Sequence, residues 1–239
     1  MSDDYSQLGG YNPDADLGLG CGLPTQFAKI KKGDVVIDLG SGAGNDAFIA
    51  RHETGETGKV IGIDFTPAMI ERARQNAEVR GLNNVEFRQG DIEHMPVTAN
   101  TADVVVSNCV LNLVPDKDAV IKEIYRVLKP GGHFSISDIV LEGELLKQIK
   151  EAAEMYAGCV SGAIQKQVYL ELINANGFKN VIVQKNKAII IPDDILSQYL
   201  SVEQMAAFKA SGTGIRSITV YAEKPLEDKR ACCGPDCCN

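Results

Sequence analysis

Val35-Val36-Ile37-Asp38-Leu39-Gly40-Ser41-Gly42-Ala43-Gly44-Asn45-Asp46 is the stretch that decides the fold. An apolar run meets an acid, and glycine then occupies every second position. That is the pattern of a buried parallel strand ending in a tight turn that feeds a helix. Gly40, Gly42 and Gly44 remove side chains where a ligand would approach the backbone. A phosphate cradle would not place the carboxylate of Asp38 there, because it would repel the phosphates. The turn, with Ser41 inside it, therefore suits a ligand that carries a cationic end and no phosphate. S-adenosylmethionine, with its ammonium and sulfonium groups, fits that description.

Working outward, a helix is expected from about 46 to 51, then a second strand over Lys59–Asp64. Asp64 lies 20 residues beyond Gly44, the spacing of a carboxylate that receives the two hydroxyls of a ribose. Phe65 follows it and is assigned to the same site. Thr66-Pro67 opens a helix whose inner face is Ile70, Ala73 and Ala77, and Gly81 stops it. A third strand from Val85 ends in Gly90-Asp91, where Asp91 is placed to accept from an adenine amino group with Ile92 against the ring. Ala102 to Asn108 is a central fourth strand, and Asn108 lies at the carboxyl edge beside the ligand. A helix over 117–128 and a strand over 133–139 complete the alternation.

Beyond this point the pattern changes. Helices are expected at 142–157, 165–176 and 193–209, and strands at 180–191 and 217–223. The last two strands can finish the sheet as an antiparallel hairpin, with 142–164 and 192–214 inserted above the ligand. The organisation expected is a loop segment over 1–23, a cofactor-binding domain over 24–141, a substrate-binding region over 142–224 and a flexible tail over 225–239.

Composition narrows the function. The 239 residues carry a net charge of −8, which argues against a general nucleic-acid binder. No apolar run reaches the roughly 20 residues that cross a bilayer, so no membrane partner is expected. Met1-Ser2-Asp3-Asp4 lacks the basic-then-apolar pattern of a signal peptide, and the expected location is cytoplasmic. Seven cysteines in a reducing compartment point to metal, metalloid or redox chemistry. Cys21, Cys109 and Cys159 are spread through the body of the chain, while Cys232, Cys233, Cys237 and Cys238 crowd its end. Taken alone, Cys21 in Leu17-Gly18-Leu19-Gly20-Cys21-Gly22-Leu23 fits either a flexible lead-in or a backbone bending closely around a ligand. Cys109 reads as packing or as lining of the cofactor pocket. His52, His94 and His133 share no ligand spacing.

The run Asp38 to Gly44, Asp64, Gly90-Asp91, Asn108 and Leu128-Lys129-Pro130-Gly131-Gly132 resembles the class I S-adenosylmethionine-dependent methyltransferases, over roughly residues 30–140. The resemblance implies an α/β fold with a Rossmann-like, mostly parallel sheet and an antiparallel terminal hairpin. A narrower resemblance rests on Asp14 to Pro24, Gly40 to Asp46 and Gly158-Cys159-Val160-Ser161-Gly162-Ala163, together with the paired cysteines of the tail. These look like arsenite methyltransferases over nearly the whole chain. That family uses the cysteines of its Gly-Leu-Gly-Cys-Gly loop and its Gly-Cys-(Ile/Val)-Ser-Gly segment in catalysis, which carries over to Cys21 and Cys159.

The chain departs from the family pattern in three places. Residues 1–20 hold no further cysteine, Ala47 stands where many members have one, and Ser211-Gly212-Thr213-Gly214 offers only hydroxyls where many have a third arsenic-binding thiol.

The implied reaction is methylation of trivalent arsenic, supplied as arsenite or its thiol conjugate, with S-adenosylhomocysteine as by-product and detoxification as its purpose. Cys21 and Cys159 are the expected arsenic ligands, with Cys232, Cys233, Cys237 and Cys238 as further candidates. Some lowering of the thiol pKa values beside the sulfonium is expected. Cys21 and Cys159 are also expected to form a disulfide that a thiol reductant such as thioredoxin or glutathione reopens. Two alternatives remain open: methylation of a small carbon or oxygen nucleophile such as a quinone precursor, and non-catalytic metalloid binding.

Overall fold

The computed structural model describes residues 4–145, 147–156 and 158–226. Its strands are β1 (Val35–Leu39), β2 (Lys59–Asp64), β3 (Val85–Gln89), β4 (Ala102–Asn108), β5 (Leu128–Glu142), β6 (Lys179–Ile189) and β7 (Gly214–Glu223). They form one sheet in the order β3-β2-β1-β4-β5-β7-β6. Strands β1 to β5 pair in parallel, whereas β7 runs antiparallel between β5 and β6. The mostly parallel α/β sheet with an antiparallel end agrees with the sequence reading.

Helices cover both faces: α1 (Pro24–Phe27), α2 (Asn45–Thr54), α3 (Pro67–Val79), α4 (Lys117–Val127), α5 (Lys147–Tyr156), α6 (Lys166–Ala175), α7 (Asp193–Leu196) and α8 (Val202–Ala210). Alternate side chains of one strand point to opposite faces, so β1 and β4 feed two cores. Ile37, Leu39 and Val105 join the α4 stripe of Val120, Ile121, Ile124 and Val127. Val36, Val104 and Val106 meet Ala47 and Phe48 of α2 and Ile70 and Ala73 of α3. Strands apolar on both faces require this double cover.

A third apolar cluster sits over the carboxyl end of the sheet. It joins Cys21, Cys109, Ile139 and Ile215 to Ile149 and Ala153 of α5, to Val160, and to Leu196 and Leu200. This layer is made by the two inserted segments and places them over the site.

Two elements differ from expectation. Strand β5 is longer than 133–139, because β7 pairs with it from His133 to Glu142. The single helix over 193–209 is two helices, since Ser201 caps α8. Its Oγ accepts from the Gln204 N–H, and the Gln204 side chain accepts from the Ser201 N–H. Cys232, Cys233, Cys237 and Cys238, and with them nearly all of the expected tail, lie outside the described residues. Among the described residues no helix is long and apolar enough to cross a membrane.

Candidate active site

The turn after β1 carries Gly40, Gly42 and Gly44 at φ of +65°, +52° and +101°. At Gly40 a Cβ would overlap the side chain of Val110, so the close approach and the left-handed backbone both require glycine. The turn is clamped by Asp64 at the end of β2. Its carboxylate accepts from the Gly42 N–H at 3.0 Å and from the Thr66 N–H at 2.9 Å. Asp38 is 2% exposed and Asp46 is half-buried. Burial pushes the Asp38 carboxyl well up, and the neighbouring Asp46 and Asp64 push it further. Burial also raises Asp46, to about 6, against the lowering effect of hydrogen bonds from Asn108 and Tyr5. Asp38 Oδ2, Ser41 Oγ and Asp46 Oδ1 are buried without hydrogen-bond partners. Buried acids with unpartnered oxygens are costly, and a ligand bearing a cationic donor satisfies them.

Asp38, Gly40, Ser41, Gly42, Asp46 and Asn108 share one cleft of about 110 Å³. That is smaller than the roughly 300 Å³ at the low end of ligand pockets. Ala15, Leu17, Leu19 and Gly20, from the segment before α1, also line the cleft. Asp64 adjoins the cleft through Gly42 rather than lining it. Asp91 follows at the end of β3, linked to Asp64 because the Gly90 N–H donates to the Asp64 carbonyl at 3.0 Å. Its carboxylate accepts from the Glu93 N–H at 2.9 Å, Ile92 is buried, and Phe65 is 74% exposed. A larger open groove of about 710 Å³ follows β3, but its charges are already engaged, with Glu86 paired to Lys59 and Arg88.

The buried acids make a stability prediction. An acid raised from its ordinary value binds its proton more tightly folded than unfolded, so stability falls as pH rises from about 4 to about 6. Asp46→Asn removes the Asp46 share of this dependence and leaves that of Asp38. In denaturant unfolding of the ligand-free chain, the variant is expected to gain on the wild type by on the order of 3 kcal/mol between pH 4 and pH 7.5. A difference that does not change with pH would refute the assignment.

Behind the cleft lies a thiol centre. Cys21 and Cys109 are joined by a disulfide with their Cα atoms 5.7 Å apart. The bridge does not link Cys21 to Cys159 as expected, and Cys109 packs in the apolar cluster as expected while also forming the bridge. Asn108 ties the centre to the cleft, since its Oδ1 accepts from the Cys21 N–H at 3.0 Å and its Nδ2 donates to Asp46 at 3.2 Å. The Ser217 hydroxyl donates to the Cys21 carbonyl. Cys109 sits at φ +61° with its N–H donating to the Ser137 carbonyl at 2.8 Å.

Cys159 is a free, half-buried thiol in the short 3-10 turn Gly158–Val160, packed against the same apolar cluster. Burial pushes its pKa up and Asp138 adds to the effect, the reverse of the lowering expected. Asp138 is buried on β5. Burial pushes its own carboxyl up to about 7, partly offset by the Ile139 N–H and by Lys117. Cys21 Sγ, Cys109 Sγ and an Asp138 oxygen all lie within 4.8 Å of one another.

A family model described as a methyltransferase domain matches residues 30–177. The crystal structure of CrArsM, an arsenic (III) S-adenosylmethionine methyltransferase from Chlamydomonas reinhardtii, aligns with a TM-score of 0.71 at 33% identity, covering 86% of this chain and 68% of that one. An arsenite methyltransferase of Halobacterium salinarum is 42% identical over 214 residues, which is 90% of this chain and 52% of the relative. The chain belongs to the arsenite methyltransferases, within the methyltransferase-domain family. It spans about half the length of the curated arsenite methyltransferases it matches. A demethylmenaquinone methyltransferase of Lactobacillus johnsonii is also similar, at 33% identity over 66% of this chain and 72% of its own.

Among these arsenite methyltransferase relatives, this chain's own thiol centre contains two residues that sequence reasoning did not assign to it. Cys109 had a usable signal, because it directly follows Asn108 at the carboxyl edge of β4. Asp138 had a weaker one, an acid inside a strand of otherwise small and apolar residues, Ser135-Ile136-Ser137-Asp138-Ile139, where burying a carboxylate is costly.

Proposed function

We propose that this chain methylates trivalent arsenic held by Cys21 and Cys159, using S-adenosylmethionine bound at the glycine turn. The observation that carries the reading is that Cys21, from the loop before α1, is buried in the same apolar cluster against which Cys159, from the turn between α5 and α6, is packed. Asn108 joins that cluster to a cleft whose buried acids call for a cation. Asp38 and Asp46 face the ligand's cationic end, Gly40 and Gly42 give it backbone access, and Asp64 stands where a ribose would be received. Asp91 and Ile92 extend the site toward the base. When bound, S-adenosylmethionine supplies an electrophilic methyl on a sulfonium.

The protein's part is alignment and the exclusion of water. Arsenic on soft thiolates keeps a lone pair, so the acceptor needs no strong base to create it. Orientation of this kind is worth up to roughly 7–11 kcal/mol. Thiols must lose protons on binding arsenic, and Asp138, with its carboxyl near 7, is matched to accept one. The centre must be returned to thiols for each cycle, which suits a thioredoxin- or glutathione-type reductant and a reducing compartment such as the cytoplasm. Detoxification is the role such a reaction would serve, and the tail cysteines are further candidates for arsenic capture.

The test is product speciation after incubation with arsenite, S-adenosylmethionine and a dithiol. Methylated arsenic is expected. Its absence from folded, cofactor-binding protein would overturn the proposal. The similarity to a quinone methyltransferase favours one rival, a carbon acceptor, whose methylation would be indifferent to Cys21→Ser and Cys159→Ser.

A further inference from the structure

Three features of the thiol centre are not absorbed by two arsenic ligands. Cys109 is covalently joined to Cys21, its sulfur and an Asp138 oxygen fall within 4.8 Å of the Cys21 sulfur, and Cys159 remains a free thiol on the same cluster. Cys109 is also held in the left-handed region at φ +61°, where a residue with a Cβ is strained. Its N–H bond to Ser137 on β5 and the disulfide fix it there. Strain of this kind aims a side chain, and here it aims the sulfur at Cys21. Meanwhile Ala47 and the segment Ser211–Gly214 supply no thiol.

We infer that Cys109 is the third arsenic thiolate and the resolving cysteine of this enzyme, so that Cys21 and Cys109 reduce the methylated arsenic while Cys159 retains it. The inference rests on the function proposed above. Arsenic that has accepted a methyl on its lone pair is pentavalent. Its bonds to the Cys21 and Cys109 sulfurs then break, and one sulfur–sulfur bond forms. Of the four electrons in the two broken bonds, two make the disulfide and two return to arsenic as a lone pair, restoring the trivalent state. Water fills the third position on arsenic and gives up one proton, so arsenic leaves the step neutral, bonded to methyl, hydroxyl and the Cys159 sulfur. The Cys159 bond is left intact and keeps the methylated arsenic in place. An external dithiol then gives two electrons and two protons to the Cys21–Cys109 bridge and leaves as its own disulfide. The bridged structure is the state that follows methyl transfer and precedes this reset.

The experiment uses the full chain and two readouts besides turnover. In the reduced wild type, arsenite is expected to protect Cys21, Cys109 and Cys159 alike from alkylation. After a single turnover without added dithiol, peptide mapping is expected to recover a Cys21–Cys109 linkage in proportion to the methyl transferred. Cys109→Ser is expected to bind S-adenosylhomocysteine normally, to lose multiple turnover, and to yield no linked peptide. Protection of only Cys21 and Cys159, or a Cys21–Cys159 linkage in the wild type, overturns the inference whatever the variant does. Full turnover by Cys109→Ser overturns it as well, while leaving arsenic methylation standing. A wild type that binds arsenite and S-adenosylmethionine but forms no methylated arsenic overturns both.

Discussion

Cys159→Ser is expected to lower arsenite methylation by at least about 10²-fold, the loss that follows when a reacting centre is held out of place, while S-adenosylhomocysteine binding measured by calorimetry stays unchanged. The separation follows from the architecture. The glycine turn, Asp64 and Asn108 sit at the ends of β1, β2 and β4, whereas Cys159 enters from the segment between α5 and α6. A serine hydroxyl fills the same space but is a hard ligand with little affinity for arsenic. The thiol is half-buried, so the substitution removes little apolar packing. The same site dictates the pH response. Burial and Asp138 hold the Cys159 thiol above its ordinary value, so it is protonated at neutral pH. Arsenite carries its own hydroxides, each of which leaves as water with a thiol proton, so no net proton is released. The arsenite affinity of the reduced wild type is therefore expected to change little between pH 6 and pH 8. Undiminished methylation by this variant would exclude Cys159 as an arsenic ligand.

The parallel sheet was legible because buried strands leave a one-dimensional trace: apolar runs at 35–39, 59–64 and 102–108, each followed by a turn or an acid. The positions of Asp38 and Asp64 were legible for a related reason, since the ends of adjacent strands are placed by the fold itself. The break between α7 and α8 also left a trace, in Ser201 and Gln204 three positions apart, but the apolar periodicity on either side masked it. The Cys21–Cys109 bridge left none. It spans 88 positions and depends on how residues 17–23 cross the end of β4, which is set by Tyr5, Asn108 and Ser217 rather than by anything local to either cysteine. The direction of the Cys159 shift was equally hidden, because it depends on Asp138, which the fold brings close from β5.

Gly162→Ala is expected to couple a loss of stability to a loss of chemistry without touching any reacting group. A Cβ at this position would fall on the carbonyl oxygen of Asn112. That backbone cannot give way cheaply, because Asn112 is buried and its Nδ2 donates to the Ile139 carbonyl at 2.7 Å. The segment carrying Gly162 must move instead, and it is short: the Ala163 N–H donates to the Val160 carbonyl at 3.0 Å, one residue from Cys159. Overpacking of this kind costs about 1–3 kcal/mol, readable as a lower midpoint in denaturant unfolding. Displacing the thiol by an ångström is expected to reduce turnover by about 10²-fold, with cofactor affinity preserved. Gly214→Ala is the control, since a Cβ there meets nothing within 4 Å and the change is expected to stay within about 0.5 kcal/mol. Glycine has no side chain to ligate or protonate anything. A variant that keeps cofactor and loses methylation therefore isolates the position of the Cys159 turn as what the chemistry requires, and a variant with wild-type stability and turnover would show that the turn is free to move.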